Sequence, residues 1–120
     1  MLEKTGGKPT NYKGTKYFQG KTISAWKLSA KRRKHIWDVS NEELDKIFES
    51  QNGICALSGL KMIWAGKSLY RPSIDRKDST KGYYYDNIQF VCSVVNIMKN
   101  KLDEEEFISV CTSVSNYNNE

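Results

Sequence analysis

Long apolar stretches are missing from this sequence: its apolar runs extend for only a few residues, and no N-terminal segment joins a positive end to an apolar middle. Neither a membrane span, which needs about 20 apolar residues, nor a signal peptide is expected, so the chain reads as soluble and cytoplasmic. Cysteine is sparse, with only Cys55, Cys92 and Cys111. An odd number without dense spacing argues against a secreted disulfide scaffold and for reduced thiols. Histidine occurs once, at His35, which limits any chemistry that needs an imidazole. With 120 residues there is room for one domain and none for a second catalytic one.

Acidic residues are nearly absent from the first third. Residues 1 to 37 hold ten Lys and Arg against Glu3 alone, a balance of +9, whereas residues 38 to 120 carry −4. A basic arm on a mildly acidic body suits nucleic acid, because each phosphate neutralised releases counterions. Lys31, Arg32, Arg33 and Lys34 are the densest part of that charge. Tyr12, Tyr17, Phe18 and Trp26 are interleaved with the lysines, which allows stacking on bases; packing of these rings on the body is the plainer reading.

Turn and cap residues divide the rest. Residues 1 to 20, with five glycines and prolines spread through them, lack periodicity and are expected to be extended or partly disordered. Residues 22 to 35 are expected to form a helix with Ile23, Trp26 and Ala30 on one face and cations at its C-terminal end. Ser40 and Glu43 form a capping box, with Val39 and Leu44 as a hydrophobic staple, so a helix should run from 41 to 50. Asp103, Glu106, Leu102 and Phe107 repeat that grammar and predict a helix over 104 to 114, followed by a frayed tail. Between them, residues 69 to 74 and 88 to 91 read as strands, with Lys81-Gly82 in the intervening loop. Val94, Val95 and Met98 read as a helix on which Asn96 and Lys99, three apart, both point back to Asp75.

The segments CALSG (55 to 59), SIDR (73 to 76), KGYYYDNIQFVC (81 to 92) and VNIMKN (95 to 100), preceded by KRRKHIWDVSNEELDKIFESQNGI, together resemble the HNH family of nucleases. The likeness extends over roughly residues 25 to 111 and is nearest to the phage and bacterial branch in which the usual Asp-His pair reads Asp-Arg. It implies an α+β fold, the ββα-metal arrangement: a hairpin and a helix around one divalent cation, flanked by further helices. On that basis the chain divides into a basic arm (1 to 21), an HNH-like nuclease domain (22 to 116) and a tail (117 to 120). The implied function is metal-dependent hydrolysis of DNA phosphodiester bonds, with Mg²⁺ or Mn²⁺ as cofactor, DNA as partner, and no membrane or organic cofactor. A phage gene acting inside a bacterial host would fit the same resemblance.

Residue by residue, the resemblance assigns Asp75 and Asn96 to the metal, Asn87 to holding the loop and orienting the catalytic group, and Lys99 to a phosphate contact. The type of ligand agrees with the chemistry, since Mg²⁺ prefers oxygen donors and keeps several waters. Arg76 stands where the family carries its general-base histidine. A guanidinium stays protonated at any working pH, so Arg76 is expected to bind the scissile phosphate and stabilise developing charge instead. The proton acceptor must then lie elsewhere. Asp78 is the first candidate, with a loop-capping role the alternative; His35 reads as a surface or DNA-facing residue. Cys55 and Cys92 match single members of the two Cys-x-x-Cys pairs that bind structural zinc in many relatives, with Ser58 and Val95 at the partner positions. Two thiolates fall short of four ligands, so zinc is not expected and the two thiols should pack near each other. Tyr83, Tyr84 and Tyr85 read as loop anchors. The alternative function is a nucleic-acid-binding module that keeps the HNH scaffold and lacks hydrolysis, with Arg76 as its mark.

Overall fold

The computed structural model describes residues 14 to 64 and 68 to 119. The elements are α1 (Gly20–Arg32), β1 (Trp37–Asp38), α2 (Asn41–Ser50), β2 (Pro72–Arg76), β3 (Tyr83–Tyr84), a single 3₁₀ turn (Tyr85–Asn87), β4 (Ile88–Cys92), α3 (Ser93–Lys99) and α4 (Glu104–Asn118). The fold is α+β. Residues 1 to 13, which carry most of the expected arm, lie outside the described residues.

Local chemistry accounts for most of the boundaries. At the start of α2 the Glu43 amide donates to Ser40 Oγ (3.1 Å) and the Ser40 amide to Glu43 Oε1 (3.0 Å), the expected capping box. Asp103 caps α4 by accepting from the Glu106 amide at 2.8 Å. That helix continues to Asn118, four residues beyond the expected end and through part of the expected tail. It contains no glycine or proline to stop it. Past Phe107 it buries little: Val114 is 58% exposed. Helix α1 starts earlier and stops earlier than expected. Lys34 takes a left-handed conformation (φ 62°), and the His35 amide folds back onto the Ala30 carbonyl at 2.8 Å, which ends the helix and turns His35 toward the body.

Strand β2 begins at Pro72 rather than Leu69, because residues 68 to 71 form a turn in which the Tyr70 amide bonds Ser68 Oγ (3.0 Å). The carbonyls of that turn are used. Arg71 O accepts from the Ser93 amide (2.8 Å) and Leu69 O from the Val94 amide (2.9 Å), satisfying the first donors of α3. Strands β2 and β4 pair antiparallel from Pro72↔Cys92 to Arg76↔Ile88, and α3 follows directly, giving the ββα unit. In the loop between them, β3 pairs in parallel with β1 (Trp37↔Tyr83). Gly82 permits this approach: a Cβ there would lie 2.6 Å from the Ile36 carbonyl oxygen.

The core is aromatic and includes Phe18, from the stretch expected to be part of the arm. Phe18, 2% exposed, stacks on Phe90 (centroids 4.8 Å apart) and meets Phe48, Trp26 and Trp64 edge-on. Its segment is held against α2 by the Lys16 amide on Asp45 Oδ2 (3.0 Å) and Tyr17 Oη on Glu49 Oε2 (2.8 Å). Gln51 mimics a strand partner for β4: its Oε1 accepts from the Phe90 amide (2.9 Å) and its Nε2 donates to the Phe90 carbonyl (2.8 Å). Cys55 and Cys92 are buried neighbours, with Cys55 Sγ accepting from the Cys92 amide at 3.2 Å, as expected of packed thiols. Burial pushes the Cys92 thiol up to about 11. Among the described residues no helix is long and apolar enough to cross a membrane.

Candidate active site

The ββα unit sets Asp75 opposite Gln89 on the paired strands and brings α3 across them. Asp75, only 4% exposed, is bonded through both oxygens: Oδ1 accepts from Lys99 Nζ at 3.1 Å and Oδ2 from Gln89 Nε2 at 3.0 Å. Gln89 also donates to Glu104 Oε1 (3.0 Å), tying α4 to the same network. One turn before Lys99, Asn96 Nδ2 donates to Ser73 Oγ (2.7 Å) and the Ile74 carbonyl (3.0 Å). Committing the amide nitrogen to β2 turns Oδ1 the other way. The expected convergence of Asn96 and Lys99 on the Asp75 strand end is therefore present.

Lys99 corrects its expected role. It is 1% exposed, and its ammonium is shared between Asp75 and the Arg76 carbonyl (3.1 Å), so it is not presented to a phosphate. The helical spacing pointed it inward correctly; the buried carboxylate then holds it there, since a buried charge is costly unless paired.

Asn87 bonds both ends of the loop. Its Oδ1 accepts from the Asp78 amide (3.0 Å), and its Nδ2 donates to the carbonyls of Asp78 (3.1 Å) and Gly82 (2.8 Å). Asp78 makes the loop-capping bonds that are the alternative to its role as proton acceptor. Its Oδ1 accepts from the Thr80 hydroxyl (2.6 Å) and amide (2.9 Å), and these bonds hold the carboxyl below its usual range. A carboxylate so stabilised is a poorer proton acceptor.

Arg76 extends from the end of β2, donating through one terminal nitrogen to the carbonyls of Ser79 (2.5 Å) and Lys81 (2.9 Å). Its guanidinium lies 5.5 Å from the Tyr83 ring centroid. Tyr83 also accepts, at its hydroxyl, a bond from Arg33 (3.1 Å). Arg33 is thus the member of the 31 to 34 cluster that joins the site; Lys31, Arg32 and Lys34 are exposed elsewhere on the surface. His35 comes close as well. Its Nδ1 is 3.4 Å from the Arg76 guanidinium and its ring packs edge-on to Tyr83. Burial first, then the positive fields of Arg76 and Arg33, lower its pKa and favour the neutral imidazole.

Asp75, Arg76, Asn96, Arg33, Ser73 and Tyr83 line one cavity of about 230 Å³. Sequence reasoning did not name Gln89, Ser73 or Tyr83 as site residues. Gln89 depends on the hairpin register across an eleven-residue loop, and Tyr83 on the pairing of β3 with a strand more than forty residues away. Ser73 was within reach, since it shares the strand face of Asp75 two residues on.

As a metal site the cavity offers hard oxygen donors from Asp75 and Asn96, and each Asp75 oxygen has acceptor capacity beyond the bond it makes. Among the described residues no group of three or more His, Cys, Asp or Glu side chains converges. A cation here would complete its shell with water and phosphate oxygens, the usual arrangement for Mg²⁺.

No family model matches the chain. The uncharacterized protein R423 of Acanthamoeba polyphaga mimivirus is 33% identical over 79 residues, covering 66% of this chain but 13% of that protein. Among solved structures, the fold is similar to that of the rare-cutting HNH restriction endonuclease PacI, with a TM-score of 0.63 and 17% identity over 93% of this chain and 89% of that one. The fold is HNH-like.

Proposed function

We propose that the protein is a metal-dependent HNH-like endonuclease that hydrolyses phosphodiester bonds in DNA. The observation that carries this reading is the cavity in which Asp75 and Asn96 stand beside Arg76 and Arg33 at the junction of hairpin and helix. Oxygen donors for a hard cation and guanidiniums for a phosphate are there within one small volume, on a fold shared with a restriction endonuclease. Asp75 and Asn96 would hold Mg²⁺ or Mn²⁺, which when bound offsets charge on the scissile phosphate and its leaving oxygen. Arg76 and Arg33 grip the phosphate from the loop side and from the end of α1, where Tyr83 separates and orients them. Asn87, bonded to Asp78 and Gly82, holds the loop whose Ser79 and Lys81 carbonyls anchor Arg76.

The second reading, binding without hydrolysis, draws on a specific feature: Asp75 already has a cation, Lys99, at salt-bridge distance. Supercoiled plasmid separates the two. Incubation with Mg²⁺, Mn²⁺ or EDTA should give nicked circles with either ion and none with EDTA, and Arg76→Ala should slow nicking far more than Arg76→Lys. Tight retention of plasmid in a gel shift, without nicking in either ion, would leave the binding module as the function.

A further inference from the structure

Lys99 has no part in the chemistry proposed above, yet it is the least exposed charged residue in the described chain. Its ammonium lies 3.1 Å from Asp75 Oδ1 and 3.1 Å from the Arg76 carbonyl oxygen. A carboxylate oxygen and a backbone carbonyl are also donors a divalent cation takes. It reaches them from the protein side: the cavity lining includes Asp75 and Arg76 but not Lys99. Asp75 is therefore neutralised by a residue outside the lining of the cavity that Asp75 itself helps to line. The second Asp75 oxygen is held by the Gln89 amide, so the carboxylate cannot swing away from the ammonium without breaking that bond.

We infer that Lys99 is the resident counter-ion of Asp75, which balances the site's charge without metal and weakens the affinity of free protein for a divalent cation. A carboxylate shared with a fixed ammonium offers an incoming dication less net attraction than a lone one, and two guanidiniums across the cavity reduce it further. DNA reverses that balance, because its phosphates supply the missing negative charge. The cation is then held by protein and DNA together and poorly by protein alone. This inference rests on the reading that Asp75 is a cation ligand.

The test uses thermal melts of the full chain without DNA, in EDTA and in Mn²⁺. Wild type should melt at the same temperature in both. Lys99→Met leaves Asp75 buried and unpaired, so it should melt lower in EDTA and recover in Mn²⁺, by about 10 °C at a concentration near 100 times its Kd. Should that variant be unfolded in EDTA, its folding on addition of Mn²⁺, followed by circular dichroism, is the same result. The double variant Asp75→Asn/Lys99→Met, with neither charge, should be folded and indifferent to Mn²⁺. The inference is overturned if wild type responds to Mn²⁺ as strongly as Lys99→Met. It is also overturned if Lys99→Met gains nothing from the ion, whether folded or not. Plasmid nicking by wild type is a separate outcome. Metal-dependent nicking with a cation-blind Lys99→Met sinks the counter-ion role and keeps the nuclease, whereas a cation-responsive Lys99→Met without nicking does the reverse.

Discussion

Replacing Asn87 with alanine removes a side chain that ties the two ends of the loop between β2 and β4 together. Three hydrogen bonds go with it: one from the Asp78 amide, and one each to the carbonyls of Asp78 and Gly82. Asn87 is only 6% exposed, so water replaces these bonds poorly. At about 1 kcal/mol for each hydrogen bond the loss is about 3 kcal/mol. For a domain of this size that lowers the melting temperature by roughly 12 °C. Urea unfolding is the assay, with the midpoint falling and the m-value unchanged, since the surface exposed on unfolding is the same. Asn87→Asp sharpens the result. It keeps the acceptor for the Asp78 amide but turns a carboxylate oxygen toward two carbonyls, so at neutral pH it should be at least as damaging. Its deficit should narrow as pH falls toward about 4, because the facing carbonyls favour the protonated carboxyl, which donates again. A loss for Asn87→Ala under about 1 kcal/mol would refute the loop-closing role, because a single exposed hydrogen bond would account for it.

Three other predictions follow from the packing and the charges. Phe18→Ala should cost about 3 to 5 kcal/mol in urea unfolding, as for a buried core aromatic, whereas a residue of a solvated arm would cost almost nothing. His35 has its pKa lowered by burial and by Arg76 and Arg33. The unfolded chain therefore binds a proton that the fold rejects, and stability present above the ordinary value of 6.5 should fall as pH drops below it. His35→Gln should flatten that part of the pH profile. Asp78→Asn should leave the acidic side of the nicking pH profile where it is, since the Asp78 carboxylate is spent on Thr80; a shifted limb would return Asp78 to the role of base.

Residues whose roles depend on near neighbours are legible in the sequence itself. The Ser40 and Asp103 caps, the helical spacing of Asn96 and Lys99, and the position of Asp75 at a strand end all rest on contacts within a few residues or on one period. What lies outside that reach depends on long-range pairing. Phe18 looks like one more aromatic in a glycine-rich basic stretch, and only the meeting of α1, α2 and β4 makes it central. The helical period places Lys99 on the correct face, but burial, which periodicity does not report, changes its role from phosphate contact to partner of Asp75. His35 lies beside Arg76 because a left-handed residue, Lys34, ends α1 early, and lysine carries no signal for that conformation.

The central claim is that the cavity at Asp75 and Asn96 is where DNA is cut. Single-turnover cleavage of an end-labelled duplex in Mn²⁺, comparing wild type with Asn96→Ala, tests it most directly, because that change removes the Oδ1 donor and leaves the Asp75 and Lys99 pair intact. The account predicts a rate at least about 100-fold lower, a loss of roughly 2.7 kcal/mol in transition-state stabilisation, with the circular dichroism spectrum of wild type. Cleavage at the wild-type rate by a folded Asn96→Ala protein would contradict it.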